Sequence, residues 1–540
     1  VRFVRLIPGL SLLILTWIVS VYHLSVFPAP QIDTAAVRAT GSEDRFIPRT
    51  ADGLNHIILS GHPYKRGLSV GRFTKDLLDQ EEDYLVAEME RFFPAAWLRH
   101  SLLFAVRRFY WGIERWFPDW AVAEMAGVAT YSTDKYNYYA DPLTRQIAYH
   151  GVHELGQMFV DFDKGDYGCT LMAVPVSRAA AGAGWVIGRN FDFEAVRILD
   201  TEKLIKWVYP DDGYAYVAVT WAGMVGAVTG VNEHGVYISI NAAGSSDFRR
   251  YGTPSTLVLV DALQRASTAA EARDVIEAAE VFITDLYVVA DAGGTMFRIE
   301  KTPERVRSVA LSEPAAVANH LMHPDFADDG VNRFRYEQQT TRFRWHRAQD
   351  LATAAGLDPA LTSDADYEDR MLAMLRDRSD AGGRPAHLGN RRSLDALIAT
   401  HSVIFNTRTR TLFVSRGPAL SGAYNGYDLT RSFGERRPVP VRTLPADPEI
   451  SEDFFFSFKA GLAKLTYGKE FVRRGDCATA APLLEPLESL LGSHAEYLQA
   501  MGDLYQCRGQ DDLARRYWQR ALTAGPSYAK HEQYLRGRLQ

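Results

Sequence analysis

The chain has 540 residues, 47% apolar and 23% charged, which allows several folded domains and excludes wholesale disorder. Its 60 Lys and Arg against 66 Asp and Glu leave a formal net charge of −6, without the basic excess of a nucleic-acid binder. Three cysteines, Cys169, Cys477 and Cys507, are too few for a disulfide-dense scaffold or a multi-cysteine zinc site.

No Asp, Glu, Lys or Arg occurs from Leu6 to Pro30, and Arg2 and Arg5 precede the run. As a helix, Leu6–Val26 would extend about 31 Å at ~1.5 Å per residue, close to a bilayer core of about 30 Å. Arginines before it and Asp33 after it predict a cytoplasmic N-terminus and an extracytoplasmic remainder, periplasmic in a Gram-negative bacterium. A cleaved signal peptide and a buried soluble helix are the alternatives. Against cleavage, Phe27-Pro28 stands where a small-x-small site would be expected. Residues 1–30 are thus an anchor or signal. Residues 31–53, polar and aperiodic, are a tether.

From residue 54 a folded domain is expected to run to residue 445. Asn55–Ser60 reads as a strand, Thr74–Phe93 as a helix, and the Trp- and Phe-rich Ala95–Ala126 as packed helices. Cys169–Ser177 and Trp185–Phe193 read as strands joined by the small-residue turn Ala179–Gly184. Tyr214–Trp221 follows. Val225–Gly230 and Val236–Ala242 then flank the turn Asn232-Glu-His-Gly235. Ser255–Arg265 and Ala270–Ala279 look helical. Strands resume at Leu286–Asp291, Met296–Lys301, Arg305–Leu311 and Ala315–His320. A helix at Tyr367–Asp377 precedes a late hairpin, Ser402–Asn406 with Thr411–Ser415. Strands, then helices, then strands predict a layered α+β domain.

Pro438–Ile450 reads as a linker, and residues 451–540 turn helical and repeat. Gly468, Phe471, Gly475 and Ala480 recur 34 positions later as Gly502, Tyr505, Gly509 and Ala514. That period resembles the tetratricopeptide repeat, which suggests a protein partner or a structural cap. Pro482 and Pro486 fall where the second helix of the first copy should run. Consecutive repeats bring their turns together, so Cys477 and Cys507 are placed either to form a disulfide or to pack as small buried residues.

Several motifs compete for the chemistry. Gly67-Leu-Ser-Val-Gly71 matches a nucleophile elbow with Ser69 as a serine-hydrolase nucleophile, but the polar His-Pro-Tyr-Lys-Arg segment separates it from the preceding strand. His150/His153 and His320/His323 lack an accompanying metal-ligand pattern, and no phosphate-binding fingerprint occurs, so no metal or cofactor is expected. Cys169 follows the polar loop Asp163–Gly168 and opens a strand. The next strand ends in Gly188-Arg-Asn-Phe-Asp192, so an antiparallel pair would bring a guanidinium and a carboxylate beside the thiol. The alternatives are a buried, inert cysteine and a structural Arg189–Asp192 ion pair.

Cys169-Thr170 with Gly188-Arg-Asn-Phe-Asp192 resembles the N-terminal-nucleophile (Ntn) hydrolases. Within them it is similar to the acyl-coenzyme A:6-aminopenicillanic acid acyltransferase (C45 peptidase-like) family, relatives of choloylglycine hydrolase and acid ceramidase. Asn232-Glu-His-Gly-Val236 leading to Asn241, then Ala318-Asn319-His320, then Asn332-Arg333-Phe334 follow in family order, with Asn332 departing from the usual Ser. Ser60–Gly67 resembles the opening of the acyltransferase prosegment.

The resemblance implies a four-layer αββα sandwich and self-cleavage between Gly168 and Cys169. Residues 54–168 would be the prosegment, and 169–445 the nucleophile-bearing chain. The freed α-amine of Cys169 would be the base. Asp192 would orient that amine and Arg189 would favour the thiolate. Asn241 would donate to the oxyanion, Asn319 would hold the amine or scissile amide, and Arg333 would orient the polar network. The implied substrate is a small N-acyl compound with a linear amide, hydrolysed or used for acyl transfer. A membrane-tethered scaffold with an inert domain is the non-enzymatic alternative.

Overall fold

A computed structural model describes residues 43–51, 53–109, 112–151, 167–176, 184–193 and 197–540. The run Leu6–Val26, the tether up to residue 42, most of the loop before Gly168 and most of the turn Ala179–Gly184 lie outside them. Among the described residues no helix is long and apolar enough to cross a membrane.

Among the described residues sixteen strands form two sheets. The first takes β1 (Arg45–Ile47), β2 (Asn55–Gly61), β5 (Leu204–Pro210), β6 (Tyr216–Thr220), β7 (Thr229–Asn232), β8 (Tyr237–Ala242), β9 (Asp285–Ala290), β10 (Met296–Lys301) and β11 (Val306–Ala310), in that order. Among the described strands β2 and β5 pair parallel and the other pairs are antiparallel. The second runs β12 (Ala315–Val317), β3 (Tyr167–Pro175), β4 (Trp185–Phe193), β13 (Ala399–Asn406), β14 (Thr411–Ser415), β15 (Tyr424–Asp428) and β16 (Pro440–Leu444). Two stretches expected to be irregular therefore contain edge strands: β1 in the tether and β16 in the linker. Each finds a partner edge, on β2 and β15.

The two-residue period of the strands assigns each face. Leu171, Ala173 and Ile187 meet Ile205, Trp207, Val217 and Val288 between the sheets. Met172, Val174 and Val186 point the other way, onto the helices Thr341–Leu357 and Asp364–Leu375 through Ala348, Ala352, Met371 and Leu375. Ile238, Ile240 and Tyr287 face the helices Ser255–Arg265 and Ala269–Ala278 through Val258, Leu259 and Ile276. The layers are thus helix, sheet, sheet, helix, in an α+β chain. The sequence reading did not include the helix Thr341–Leu357, whose buried stripe is mostly alanine.

The segment before Cys169 packs on the first sheet. Ser69 lies inside the helix Pro63–Phe73, and its hydroxyl donates to Asp44 Oδ2 at 2.5 Å. The flanking glycines serve helix contact rather than an elbow: a Cβ on Gly67 would stand 2.0 Å from the Glu124 carbonyl oxygen of the helix Asp119–Ala129. That approach buries a charge triad. Glu124 accepts from Arg66 Nε at 3.0 Å and from Lys206 Nζ of β5 at 2.7 Å. The expected Ala95–Ala126 helices appear as Ala96–Phe109, a short 3-10 turn at Ile113–Trp116, and the start of Asp119–Ala129.

At the C-terminus the 34-residue offset has a structural counterpart. A Cβ on Gly468 or on Gly502 would lie 2.4 Å from Leu484 or 2.5 Å from Trp518, each in the helix that follows. Gly475 and Gly509 both turn with positive φ, at 77° and 73°. Of the two prolines of the first copy, Pro482 lies within a helix and Pro486 coincides with its end. The helix Cys477–Leu484 gives way to a 3-10 turn at Glu485–Leu487 and a short helix, Glu488–Leu491. Cys477 and Cys507 form a disulfide, with Cα atoms 6.0 Å apart.

Candidate active site

Strand β3 starts at Tyr167, two residues earlier than expected, so the Gly168–Cys169 bond lies within the ladder. Gly168 pairs with Asp192, Cys169 with Phe191 and Leu171 with Arg189. Directly opposed residues share a face in an antiparallel pair. Cys169 and Arg189 therefore project between the sheets, while Asp192 projects with Gly168 towards the helix Thr341–Leu357. The hairpin expected from the sequence brings both charged residues near the cysteine, but from opposite faces of the sheet. No Arg189–Asp192 ion pair forms among the described residues.

Arg189 is fully buried and held by neutral acceptors. Its Nε donates to Asn241 Oδ1 at 3.1 Å. Its Nη1 donates to Thr229 Oγ1 and to His401 Nε2, the latter at 3.3 Å, and Nη2 to the Ile240 carbonyl. Nη2 also lies 3.9 Å from Cys169 Sγ. Burial holds His401 well below its ordinary range, so its neutral ring can accept from the guanidinium. The positive charge thus acts on the thiol without a neutralising carboxylate among these contacts.

Even so, burial outweighs Arg189: it pushes the Cys169 thiol up, with Arg189 opposing and the Asp192 charge adding. The sequence expectation that the arginine would set a low thiol pKa is corrected here, because desolvation penalises the thiolate more than one cation at 3.9 Å relieves it.

On the other side, Cys169 N donates to Asn319 Oδ1 at 2.8 Å, and Asn319 Nδ2 donates to the Ala242 carbonyl at 2.8 Å. Asn241 Nδ2 is directed at the carbonyls of Val317 and Ala318, at 3.3 and 3.2 Å. Its amide is therefore engaged rather than open to an incoming oxyanion.

Arg333 is exposed on the helix Gly330–Gln338 and is not among the residues around Cys169. Arg344 stands there instead. Its Nη1 donates to the Cys169 carbonyl at 2.8 Å and to Thr170 Oγ1 at 2.9 Å, and its Nη2 to Asn319 Oδ1 at 2.8 Å. Asn332, beside Arg333, is structural: its side chain pairs with both the N–H and the carbonyl of Leu321. The sequence carried a signal for Arg344. It lies four residues before Ala348 and eight before Ala352, on one buried helical stripe. Thr229 and His401 were also missed.

Asp192 is buried, and its Oδ2 has no hydrogen-bond partner among the described residues. Burial pushes its carboxyl up to about 7, with the Arg344 charge the main opposing influence. Gly168 has ordinary extended backbone within β3. Its lack of a side chain serves space: a Cβ would stand 3.1 Å from Asp192 Oδ2 and 3.3 Å from Arg344 Cζ.

Cys169 and Asp192 line a mostly apolar cavity of about 190 Å³, walled by Leu78, Phe191, Leu199, Trp221 and Met224. Leu78, Glu81 and Leu85 come from the helix Lys75–Phe92 and Gln146 and Tyr149 from Pro142–His150, so chain preceding Cys169 forms part of the wall. Burial raises the Glu81 carboxyl well above its ordinary range; the Ala222 N–H bonds it at 3.2 Å. His320 is buried at 3% exposure, with Nδ1 2.9 Å from Thr341 Oγ1. Among the described residues no group of three or more His, Cys, Asp or Glu is placed to hold a metal.

Residues 179–382, less than half of the chain, match the family described as acyl-coenzyme A:6-aminopenicillanic acid acyl-transferase. No curated protein matches the sequence. Among solved structures, the chain is similar to an N-acylethanolamine-hydrolyzing acid amidase ortholog from Caenorhabditis elegans, at 14% identity over 44% of this chain and 93% of that one, TM-score 0.30. A penicillin V acylase from Agrobacterium tumefaciens aligns at 14% identity over 52% and 99%, TM-score 0.32. A mutant conjugated bile acid hydrolase from Clostridium perfringens aligns at 12% identity over 51% and 96%, TM-score 0.32.

Proposed function

We propose that the chain is a self-processing cysteine amidohydrolase or acyltransferase of the Ntn type, acting on the linear amide of an N-acyl compound. The observation that carries this reading is Cys169 in the wall of an apolar cavity, with Arg189 3.9 Å from its sulfur and Asn319 on its backbone nitrogen. The family match adds support, since it takes in Arg189, Asp192, Asn241, Asn319 and Arg344, though not Cys169 itself.

In processing, Sγ attacks the Gly168 carbonyl. The Gly168–Cys169 C–N bond breaks, a thioester forms, and the thiol proton ends on the new α-amine. Water then hydrolyses the thioester and releases the Gly168 carboxyl. In turnover the α-amine takes the thiol proton as Sγ attacks the substrate carbonyl. The proton passes to the departing amine, leaving an acyl-enzyme that water or a second amine resolves. Asn319 Oδ1 and Asp192 orient the α-amine, and Arg344 holds Asn319 and the Cys169 carbonyl. Arg189 offsets part of the burial penalty on the thiolate. Asn241 serves the oxyanion by turning its amide from the two long carbonyl bonds. The apolar cavity suits a fatty or aromatic acyl group.

Two attributes belong to the same proposal. Leu6–Val26 anchors an extracytoplasmic enzyme, an assignment motivated by the uncharged run and the preceding arginines. The C-terminal helices are tetratricopeptide-like and offer a protein-binding surface, an assignment motivated by the paired glycine contacts.

Denaturing electrophoresis with N-terminal sequencing tests the core of it. A fragment running from Cys169 to Gln540 is expected from wild type and from Ser69→Ala, and none from Cys169→Ala, which also loses amide turnover. Full turnover in Cys169→Ala would overturn the reading.

A further inference from the structure

The helix Lys75–Phe92 turns Leu78, Glu81, Glu82 and Leu85 towards the cavity that Cys169 lines. Their spacing, i, i+3, i+4 and i+7, makes one helical stripe, where a core-facing helix normally carries apolar residues. Two carboxyls interrupt that stripe, and their surroundings differ. Glu82 is compensated: its Oε1 accepts from Arg145 Nε at 2.8 Å and from the Tyr149 hydroxyl at 2.6 Å. Glu81, 6% exposed, has no basic partner among the described residues.

Five glutamates are buried among the described residues. Glu124 pairs with Arg66 at 2.8 Å and Lys206 at 2.7 Å, Glu300 with Arg298 at 2.8 Å, and Glu368 with Arg442 at 2.7 Å. With Glu82 on Arg145, every buried glutamate but Glu81 has a cation. The bases nearby are committed elsewhere, Arg145 to Glu82 and Lys206 to Glu124. His150, in the same cavity wall, is neutral by its bonds. Its Nε2 accepts from the Val225 N–H at 2.7 Å, so Nδ1 carries the hydrogen and donates to the Gln146 carbonyl at 2.7 Å.

An uncompensated carboxylate is costly to bury, so Glu81 is held as the neutral acid, in keeping with the upward push that burial gives it. Its Oε1 takes the Ala222 N–H at 3.2 Å. Oε2 has no hydrogen-bond partner among the described residues and is not sealed from the cavity. With Oε1 already accepting, the acid hydrogen belongs on Oε2, where it faces the space beside Cys169.

We propose that Glu81 is a specificity-determining residue of this cavity, donating a hydrogen bond from Oε2 to an oxygen carried on the acyl chain of the substrate. The favoured substrate is then an N-acyl amide with a hydroxylated acyl group rather than a plain fatty one. The inference rests on the amide-cleaving reading, which makes the cavity beside Cys169 the acyl site. A plain hydrocarbon chain would leave the carboxyl hydrogen buried without an acceptor, and the site discriminates against it for that reason.

The test is calorimetric binding to full-length Cys169→Ala, which lacks the nucleophile and so leaves the probe intact. The probes are straight-chain N-acyl anilides and their singly hydroxylated counterparts, with the hydroxyl moved carbon by carbon along the acyl chain. At one or more positions the hydroxylated probe should bind about fivefold or more tighter than the plain one. Adding Glu81→Leu should abolish that preference. Adding Glu81→Gln should retain most of it, because the amide keeps an acceptor for the Ala222 N–H and presents an N–H to the cavity. Thermal melts establish that each variant is folded; should Glu81→Leu fail to fold, the comparison of Glu81→Gln with its parent decides. The proposal is overturned by no preference at any position, by a preference that survives in folded Glu81→Leu, or by one lost in folded Glu81→Gln, which would show a carboxylate rather than a carboxyl hydrogen reading the substrate. Binding needs no turnover, so failure of the amide-cleaving reading, seen as full turnover in Cys169→Ala, is distinguished from failure of this inference.

Discussion

Replacing Arg344 by Met is the sharpest test of how the site is held. Methionine keeps most of the length but removes bonds of 2.8, 2.9 and 2.8 Å to the Cys169 carbonyl, Thr170 Oγ1 and Asn319 Oδ1. Charge-assisted hydrogen bonds contribute about 1.5–3 kcal/mol each, but the three share one guanidinium and do not add. A combined loss of about 3–4 kcal/mol corresponds to roughly 10²- to 10³-fold in rate. The same change removes the main charge favouring ionised Asp192, whose carboxyl is already pushed up to about 7. The acid limb of the pH profile should therefore move to higher pH. Arg344→Lys keeps a charge without the planar fork, and should recover the limb better than the rate. The assay is the rate of appearance of the Cys169 N-terminus across a pH series, with thermal melts to show that each variant is folded. A folded Arg344→Met that processes within about threefold of wild type, with an unmoved profile, would refute the positioning argument.

Asp192 also makes a stability prediction. Its folded carboxyl is pushed up to about 7 from an ordinary value of 3.8, so its burial favours the protonated form. That contribution is fully present below about pH 4 and is lost as pH rises through about 7. Asp192→Asn should accordingly be more stable to denaturant than wild type at pH 8, by at most a few kcal/mol, and by much less at pH 4; equal differences at the two pH values would contradict the assignment. Cys169→Ser should process slowly or incompletely, because a hydroxyl is far less ionised and less nucleophilic than a thiol; wild-type rates on the electrophoresis assay would remove the need for Arg189 beside the sulfur. The Cys477–Cys507 disulfide closes a separation of 30 residues, for which chain entropy predicts about 3–4 kcal/mol of stabilisation. Thiol counting on denatured, unreduced protein from an oxidising compartment should find Cys169 alone, and Cys477→Ser should lower the melting temperature of the C-terminal helices; three free thiols would exclude the bond.

Much of this site is local and therefore readable along the chain. Strand periodicity and a turn of small residues placed Cys169 and Arg189 on neighbouring strands. The internal repeat emerged because small residues recur wherever paired helices touch. Each of these is a short-range pattern, written within a few dozen residues. Arg344 is different: it reaches the Cys169 carbonyl across a sequence separation of 175, and its helix buries alanines that give little apolar contrast. A motif-based reading selected Arg333 instead, which the helix Gly330–Gln338 turns to solvent. Ser69 was a weak candidate from its flanking glycines, and only packing against the helix Asp119–Ala129 explains why those glycines are there. The electrostatics were decided last. A list of neighbouring charges suggests an activated thiol and an ionised Asp192, but both groups are buried. Desolvation therefore outweighs the arginines around them, and it depends on how completely the two sheets and their helices close over the site.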